Sequence, residues 1–161
     1  MSHVTSGPDP RARRRRTNAV KEALREVNIQ LSLLGHQIGA ALRLKDVDFD
    51  CLEIITRHGP LSPGALARRT GLPAATVTGI LDRLERGGWV ARERDPADRR
   101  GVAVRALRDR GHEVYRLFAG MSSAMDHLCA GYSEDQLELI ADFLRRTTDA
   151  GRTATDAVST G

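Results

Sequence analysis

Between Leu61 and Leu107 the chain runs a helix-turn-helix phrase, LSPGALARRTGLPAATVTGILDRLERGGWV, straight into an arginine-rich segment, ARERDPADRRGVAVRAL. Few folds accommodate both. Ser62 predicts an N-cap with Pro63 in the first turn: the hydroxyl accepts from an orphan amide, and proline gives up only an amide that has no partner there. Gly71, free to take the left-handed conformation, ends that helix. Ala67, Gly71, Val77 and Ile80 then supply a small residue at a crossing, a glycine turn and β-branched residues on the inner face of a second helix, which Pro73 opens. That inner face is Val77, Ile80, Leu81 and Leu84, whereas the outer face offers Ala74, Ala75, Thr76, Thr78 and Arg83. The first face packs, and the second is free to enter a major groove.

Gly87 and Gly88 break the second helix. Trp89, Val90 and Ala91 begin a strand, and Val102, Val104 and Leu107 alternate as its return partner. Between them, Arg92 to Gly101 forms a turn-rich basic tip. Taken alone, such a tip reads as a solvated hairpin loop. Directly after a helix-turn-helix it lies over the backbone beside the recognition helix. Arg99 or Arg100 is then placed for the adjacent minor groove, where a narrow A·T-rich stretch has enhanced negative potential.

From about Val20 to Thr147 the chain resembles the MarR family of transcriptional regulators, dimeric winged-helix DNA-binding proteins. The most specific part is Asp95-Pro96-Ala97-Asp98-Arg99-Arg100 followed by Val104, Leu107 and Gly111. The resemblance implies a mainly α fold with a small β-hairpin wing, a winged helix-turn-helix with N- and C-terminal dimerisation helices. It also implies that an aspartate two residues before an arginine, here Asp98 and Arg100, holds the arginine for the minor groove. Two departures matter. Leu107-Arg108 stand where a leucine-threonine pair is usual, which leaves Asp109 as the expected cap of the next helix. Gly79 follows Thr78 where a polar or basic residue is common, which weakens any transfer of an operator sequence. The candidate DNA-binding set is Ser62, Ala74, Ala75, Thr76, Thr78, Arg83, Arg92, Arg94, Asp98, Arg99 and Arg100. Within it, Thr76, Thr78 and Arg83 are expected on the major-groove face, with a phosphate as the alternative for Arg83, Asp98 and Arg100 at the minor groove, and Arg92, Arg94 and Arg99 on phosphates.

The distribution of charge agrees. Of a net +4, residues 1–18 carry five arginines against Asp9. Residues 57–110 carry twelve basic and six acidic groups, whereas residues 19–56 carry four against six and residues 111–161 four against eight. Positive charge is concentrated on the reading head, as counterion-release binding to phosphates requires. At 161 residues and 40% hydrophobic content the chain suits one domain with a core. No apolar run approaches the ~20 residues of a membrane span, and residues 1–18 have no apolar signal-peptide centre, so a cytoplasmic location is expected.

The expected division is a disordered basic tail (1–17), an N-terminal dimerisation helix (18–45), the reading head (46–108), C-terminal dimerisation helices (109–149) and a flexible tail (150–161). Val20, Leu24, Val27, Leu31, Leu34, Ile38 and Ala41 recur at steps of four and three, a seam about 33 Å long at helical rise. Val114, Leu117, Phe118, Met121, Met125 and Leu128 mark one later amphipathic helix, and Ser133 with Leu137, Ile140, Phe143 and Leu144 marks a second. Periodicity alone also fits an ordinary intramolecular core; the resemblance implies a homodimer interlocked through these helices. The run Arg11-Ala12-Arg13-Arg14-Arg15-Arg16 reads either as a solvated extension or as an arm on phosphates.

By resemblance, a small aromatic or otherwise hydrophobic effector is expected in a cleft bordered by the first helix, the Asp46–His58 helix and the start of the helix after the wing. Cys51 and Cys129 sit in apolar-patterned helices and read as small hydrophobes, with a redox-sensing regulator as the alternative. His3, His36, His58, His112 and His127 make no close metal-ligand spacing, and no catalytic motif is present, so no metal, cofactor or enzyme activity is expected. A non-specific architectural DNA binder is the remaining alternative.

Overall fold

The computed structural model describes residues 9–159. Six helices and one hairpin follow in order: α1 (Pro10–Ala41), α2 (Asp46–His58), α3 (Pro63–Thr70), α4 (Ala74–Arg86), β1 (Val90–Arg94), β2 (Val102–Ala106), α5 (Arg108–Cys129) and α6 (Glu134–Ser159).

The head is built on α2, α3, α4 and the hairpin. Ser62 accepts from the Ala65 amide at 3.1 Å and starts α3, and Gly71 closes it at φ 69°. A side chain at that φ is strained, which is why glycine stands at the turn. Val77, Ile80, Leu81 and Leu84 on the inner face of α4 are all buried, packed with Leu52 and Ile55 of α2, Leu66 of α3, and Trp89, Val90 and Val104 of the hairpin region. Each such side chain contributes roughly 1.5–3 kcal/mol on burial. β1 and β2 pair antiparallel, Arg92 opposite Val104. Leu61 adds a bridge to Val104 through two backbone hydrogen bonds of 2.8 and 3.0 Å, which ties the wing to the start of α3. The expected alternation of the return strand is corrected: Ala103 and Val104 are both buried, Val102 is exposed, and Leu107 has left the strand to cap α5. Asp109 is likewise not that cap but lies in the first turn of α5.

The tail readings change too. Asp9 accepts from the Arg11 amide at 3.0 Å and Pro10 occupies the first turn, so Arg11 to Arg16 are helical, not a disordered extension. A capped start and arginine's good helix propensity carry the helix outward. Residues 1–8 lie outside the described residues. At the other end α6 continues to Ser159, so the expected flexible tail is helical through that residue. Ser133 and Gln136 open α6 reciprocally, the Ser133 hydroxyl accepting from the Gln136 amide at 3.3 Å and the Gln136 side chain from the Ser133 amide at 2.9 Å.

Outside the head the apolar stripes find little to cover them. Val20, Val27 and Leu31 of α1, Met121, Met125 and Leu128 of α5, and Ile140, Phe143 and Leu144 of α6 are all exposed. Neither α5 nor the described part of α6 has a buried residue. Phe118 of α5 stacks on Phe49 of α2 with ring centroids 6.4 Å apart.

Candidate nucleic-acid interface

Once its inner face is buried, α4 turns Ala74, Ala75, Thr76 and Thr78 outward, and all four are exposed. The Thr78 hydroxyl donates to the Ala74 carbonyl at 3.0 Å, leaving its lone pairs outward, while the Thr76 hydroxyl makes no hydrogen bond among the described residues. Two small alanines beside two threonines make a low, polar-edged surface that lets a base edge approach closely. Ser62 spends its hydroxyl on capping α3 and is half-buried.

Arg83 does not join that face. Its Nε and Nη2 donate to Asp48 Oδ2 and Oδ1 at 2.8 and 2.6 Å, a fork-to-carboxylate pair between α4 and α2. Asp48 is 3% exposed, the buried charged residue of the core. This hydrogen bonding raises the Arg83 pKa above its ordinary value. The outward reading of Arg83 is therefore corrected: a long side chain at the edge of the helix bends back to a buried carboxylate, which would otherwise lack a counter-charge.

Arg92 is also spoken for. It donates through Nη2 to Asp82 at 2.6 Å and through Nη1 to Glu85, while Glu85 accepts its backbone amide at 3.2 Å. Asp82 and Glu85 lie one turn apart on α4, so the pair grips the first wing strand and fixes the hairpin's pose against the recognition helix. Arg92, expected on a phosphate, is here paired with two carboxylates of α4.

The wing tip is ordered by its own aspartates. Asp95 accepts from the Ala97 amide at 2.9 Å and Asp98 from the Arg100 amide at 3.0 Å, two Asx turns in succession. The Asp95 amide donates to Gly101 O at 3.0 Å and the Gly101 amide to Asp98 O at 2.9 Å, closing the loop. Asp98 therefore positions Arg100 through its backbone. Arg94, Arg99 and Arg100 are exposed and form no salt bridge among the described residues. Three arginines on a rigid tip, beside a polar helix face, form a surface complementary to a polyanion.

A further link escaped the sequence reading. Arg110 of α5 lies over the Trp89 ring at 3.6 Å, donates to Gly87 O at 2.7 Å and pairs with Glu113 at 3.0 and 3.1 Å. It clamps the start of α5 to the corner between α4 and β1. No local pattern announces it, since the partner carbonyl lies 23 residues away. Cys51 is fully buried, and desolvation first, then the neighbouring Asp50 and Asp48, push its pKa up to about 11. Among the described residues no group of three metal-ligating side chains converges, and no helix is long and apolar enough to cross a membrane.

The sequence signature described as MarR family matches residues 44–101, from the loop before α2 to the wing tip. The chain is 40% identical over 119 residues to the uncharacterized HTH-type transcriptional regulator YcgE of Bacillus subtilis (strain 168), spanning 73% of this chain and 77% of that protein. Its structure is similar to that of the transcriptional regulator Tm0710 from Thermotoga maritima, at a TM-score of 0.60 and 25% identity over 83% of this chain and 94% of the other. FabT of Streptococcus pneumoniae, solved in complex with DNA, shares the fold at a TM-score of 0.59 and 21% identity, covering 86% and 99%. Buried inner face, gripped wing and relatives agree: the chain belongs to the MarR family of transcriptional regulators.

Proposed function

We propose that this regulator acts as a homodimer that binds a palindromic operator sequence-specifically, represses by occluding promoter DNA, and is released by a small hydrophobic or aromatic ligand. The carrying observation is the division of labour on the head. Arg83 and Arg92 are consumed in holding α4 and the wing. Thr76, Thr78, Arg94, Arg99 and Arg100 remain exposed on the surface so held. Rigid placement of a few outward groups is what base reading needs, whereas phosphate attraction alone needs only charge. FabT, a protein of this fold, is solved in complex with DNA, which supports DNA as the partner. Exposed apolar stripes on α1, α5 and α6 support a second copy as the partner, because a lone chain leaves them in water. Two heads so joined reach successive major grooves ~34–36 Å apart.

Footprinting on DNA flanking the gene, with scrambled-duplex competition at two salt concentrations, tests the reading. A protected palindrome that survives the higher salt is expected. Uniform protection that vanishes with salt defeats it in favour of a non-specific binder. Within the same assay, Arg100→Ala should cost ~1–3 kcal/mol of operator affinity.

A further inference from the structure

We propose that Arg110 is a positioning residue for DNA recognition: by fixing the angle between α5 and the recognition helix, it sets the spacing between the two half-sites that the regulator accepts. The inference rests on the homodimeric operator reading above and names the residue that selects the spacing.

Helix α5 is shared between two bodies. Arg110, Val114 and Phe118 recur at four-residue steps on one face: Arg110 meets the corner between α4 and β1, Val114 packs on the head core, and Phe118 stacks on Phe49. The same face continues through Met121, Met125 and Leu128, which are exposed and belong to the surface assigned to the second copy. Helix α1 reaches the head at the point Phe118 does, since a Cβ on Gly39 would stand 3.4 Å from Phe49 and one on Gly35 3.8 Å. Both helices thus meet the head around one phenylalanine. Apolar contacts are non-directional, so that junction alone permits rocking.

Arg110 supplies a second, directional point. It lies eight residues, ~12 Å of helix, from Phe118. Its guanidinium donates to Gly87 O at 2.7 Å, covers the Trp89 ring at 3.6 Å and is aimed by Glu113 at 3.0 and 3.1 Å. Gly87 is the C-cap of α4, so a cation carried by α5 sits at the negative end of the recognition helix. The corner is shaped for it: a Cβ on Gly87 would stand 2.8 Å from Trp89, and Gly88 turns the chain at φ 72°. The remaining tie there is the chain itself, with the Leu107 amide donating to Trp89 O at 2.9 Å.

Inside the head, other groups hold α4: Arg83 on Asp48, and Asp82 with Glu85 on Arg92. Loss of Arg110 therefore leaves the reading surface intact and frees only its angle to α5. Helix α4 has 13 residues, ~20 Å, so a tilt of about 10° at its C-terminal corner carries its groove end ~3.5 Å, about one base-pair step.

The test selects sites from a random-sequence duplex library with the full chain and with Arg110→Gln. Both pools are expected to contain the same half-site. The parent should hold its pairs at one spacing, preferred at least about tenfold over one base pair more or less, and Arg110→Gln should reduce that preference to about threefold or less. Affinity for a duplex carrying a single half-site should be equal for the two proteins. Ile55→Val loosens the head core and leaves Arg110 in place, so it should keep the parent's spacing. A spacing held as strictly by Arg110→Gln as by the parent overturns the inference. Equal relaxation in Ile55→Val does so too, because general loosening then explains it, and so does a lowered single-half-site affinity, which puts the effect on the reading surface. A parent pool of unpaired sites overturns the operator reading and this inference with it, whereas paired sites whose spacing is indifferent to Arg110 overturn this inference alone.

Discussion

Arg83→Ala is expected to destabilise the protein by ~3–5 kcal/mol, the cost of leaving a buried charge without its partner. Asp48, at 3% exposure, keeps its carboxylate where water does not reach, and both of its oxygens are bonded to Arg83. The reverse substitution is milder. Arg83's side chain is 37% exposed, so after Asp48→Ala the guanidinium turns to solvent, and the loss falls to the ~1.5–3 kcal/mol of hydrogen bonds to a charged group. Asp48→Ala/Arg83→Ala together should then cost less than the sum, with a coupling of ~1–3 kcal/mol. Urea unfolding at one fixed protein concentration measures all four corners of the cycle, the concentration being held because association shifts apparent stability. Operator titrations against salt give an independent reading. A phosphate-bound Arg83 would flatten the log-log slope by ~1 when removed, whereas a bridge residue leaves the slope unchanged. Additive single effects, an Asp48→Ala costlier than Arg83→Ala, or a slope that falls by one on Arg83→Ala would each refute the argument.

Arg110→Ala should cost ~1–3 kcal/mol from its cation–π contact and its bond to Gly87 O, and the emission of Trp89, the chain's single tryptophan, should shift to the red as its cover is lost; an unmoved spectrum contradicts the clamp. Cys51, with its pKa at about 11, stays a thiol at neutral pH and should resist iodoacetamide in the native protein while half-buried Cys129 reacts first. Mass spectrometry showing Cys51 labelled first would instead support oxidant sensing. Gly71→Ala forces a side chain into φ 69° and should lower stability by ~1–3 kcal/mol, measured by thermal unfolding; a neutral effect would mean that the turn relaxes.

Much of the head was legible in residue order because its determinants are local. Ser62, Pro63 and Gly71 bound α3 within one short stretch, and the three- and four-residue spacing of Val77, Ile80, Leu81 and Leu84 reports a helix with one buried face. Asx turns at Asp95 and Asp98 likewise close within two residues. The fates of individual arginines were not legible. Arg83, Arg92 and Arg100 look alike as basic residues of one motif, yet Arg83 meets a carboxylate 35 positions away and Arg92 meets two on the preceding helix. An arginine can extend to solvent or fold back, and which it does depends on whether packing leaves an unpaired carboxylate within its reach. The helical state of Arg11–Arg16 was not read from the sequence: a dense run of like charge argued for a solvated extension or an arm, whereas in the structure Asp9 and Pro10 start a helix there. By itself, then, the sequence determined the helix-turn-helix, the wing and the concentration of positive charge, since periodicity, capping and composition act over a few residues. Only the tertiary structure decided which arginines are structural and which face outward, because those fates depend on distances between elements that no local spacing encodes.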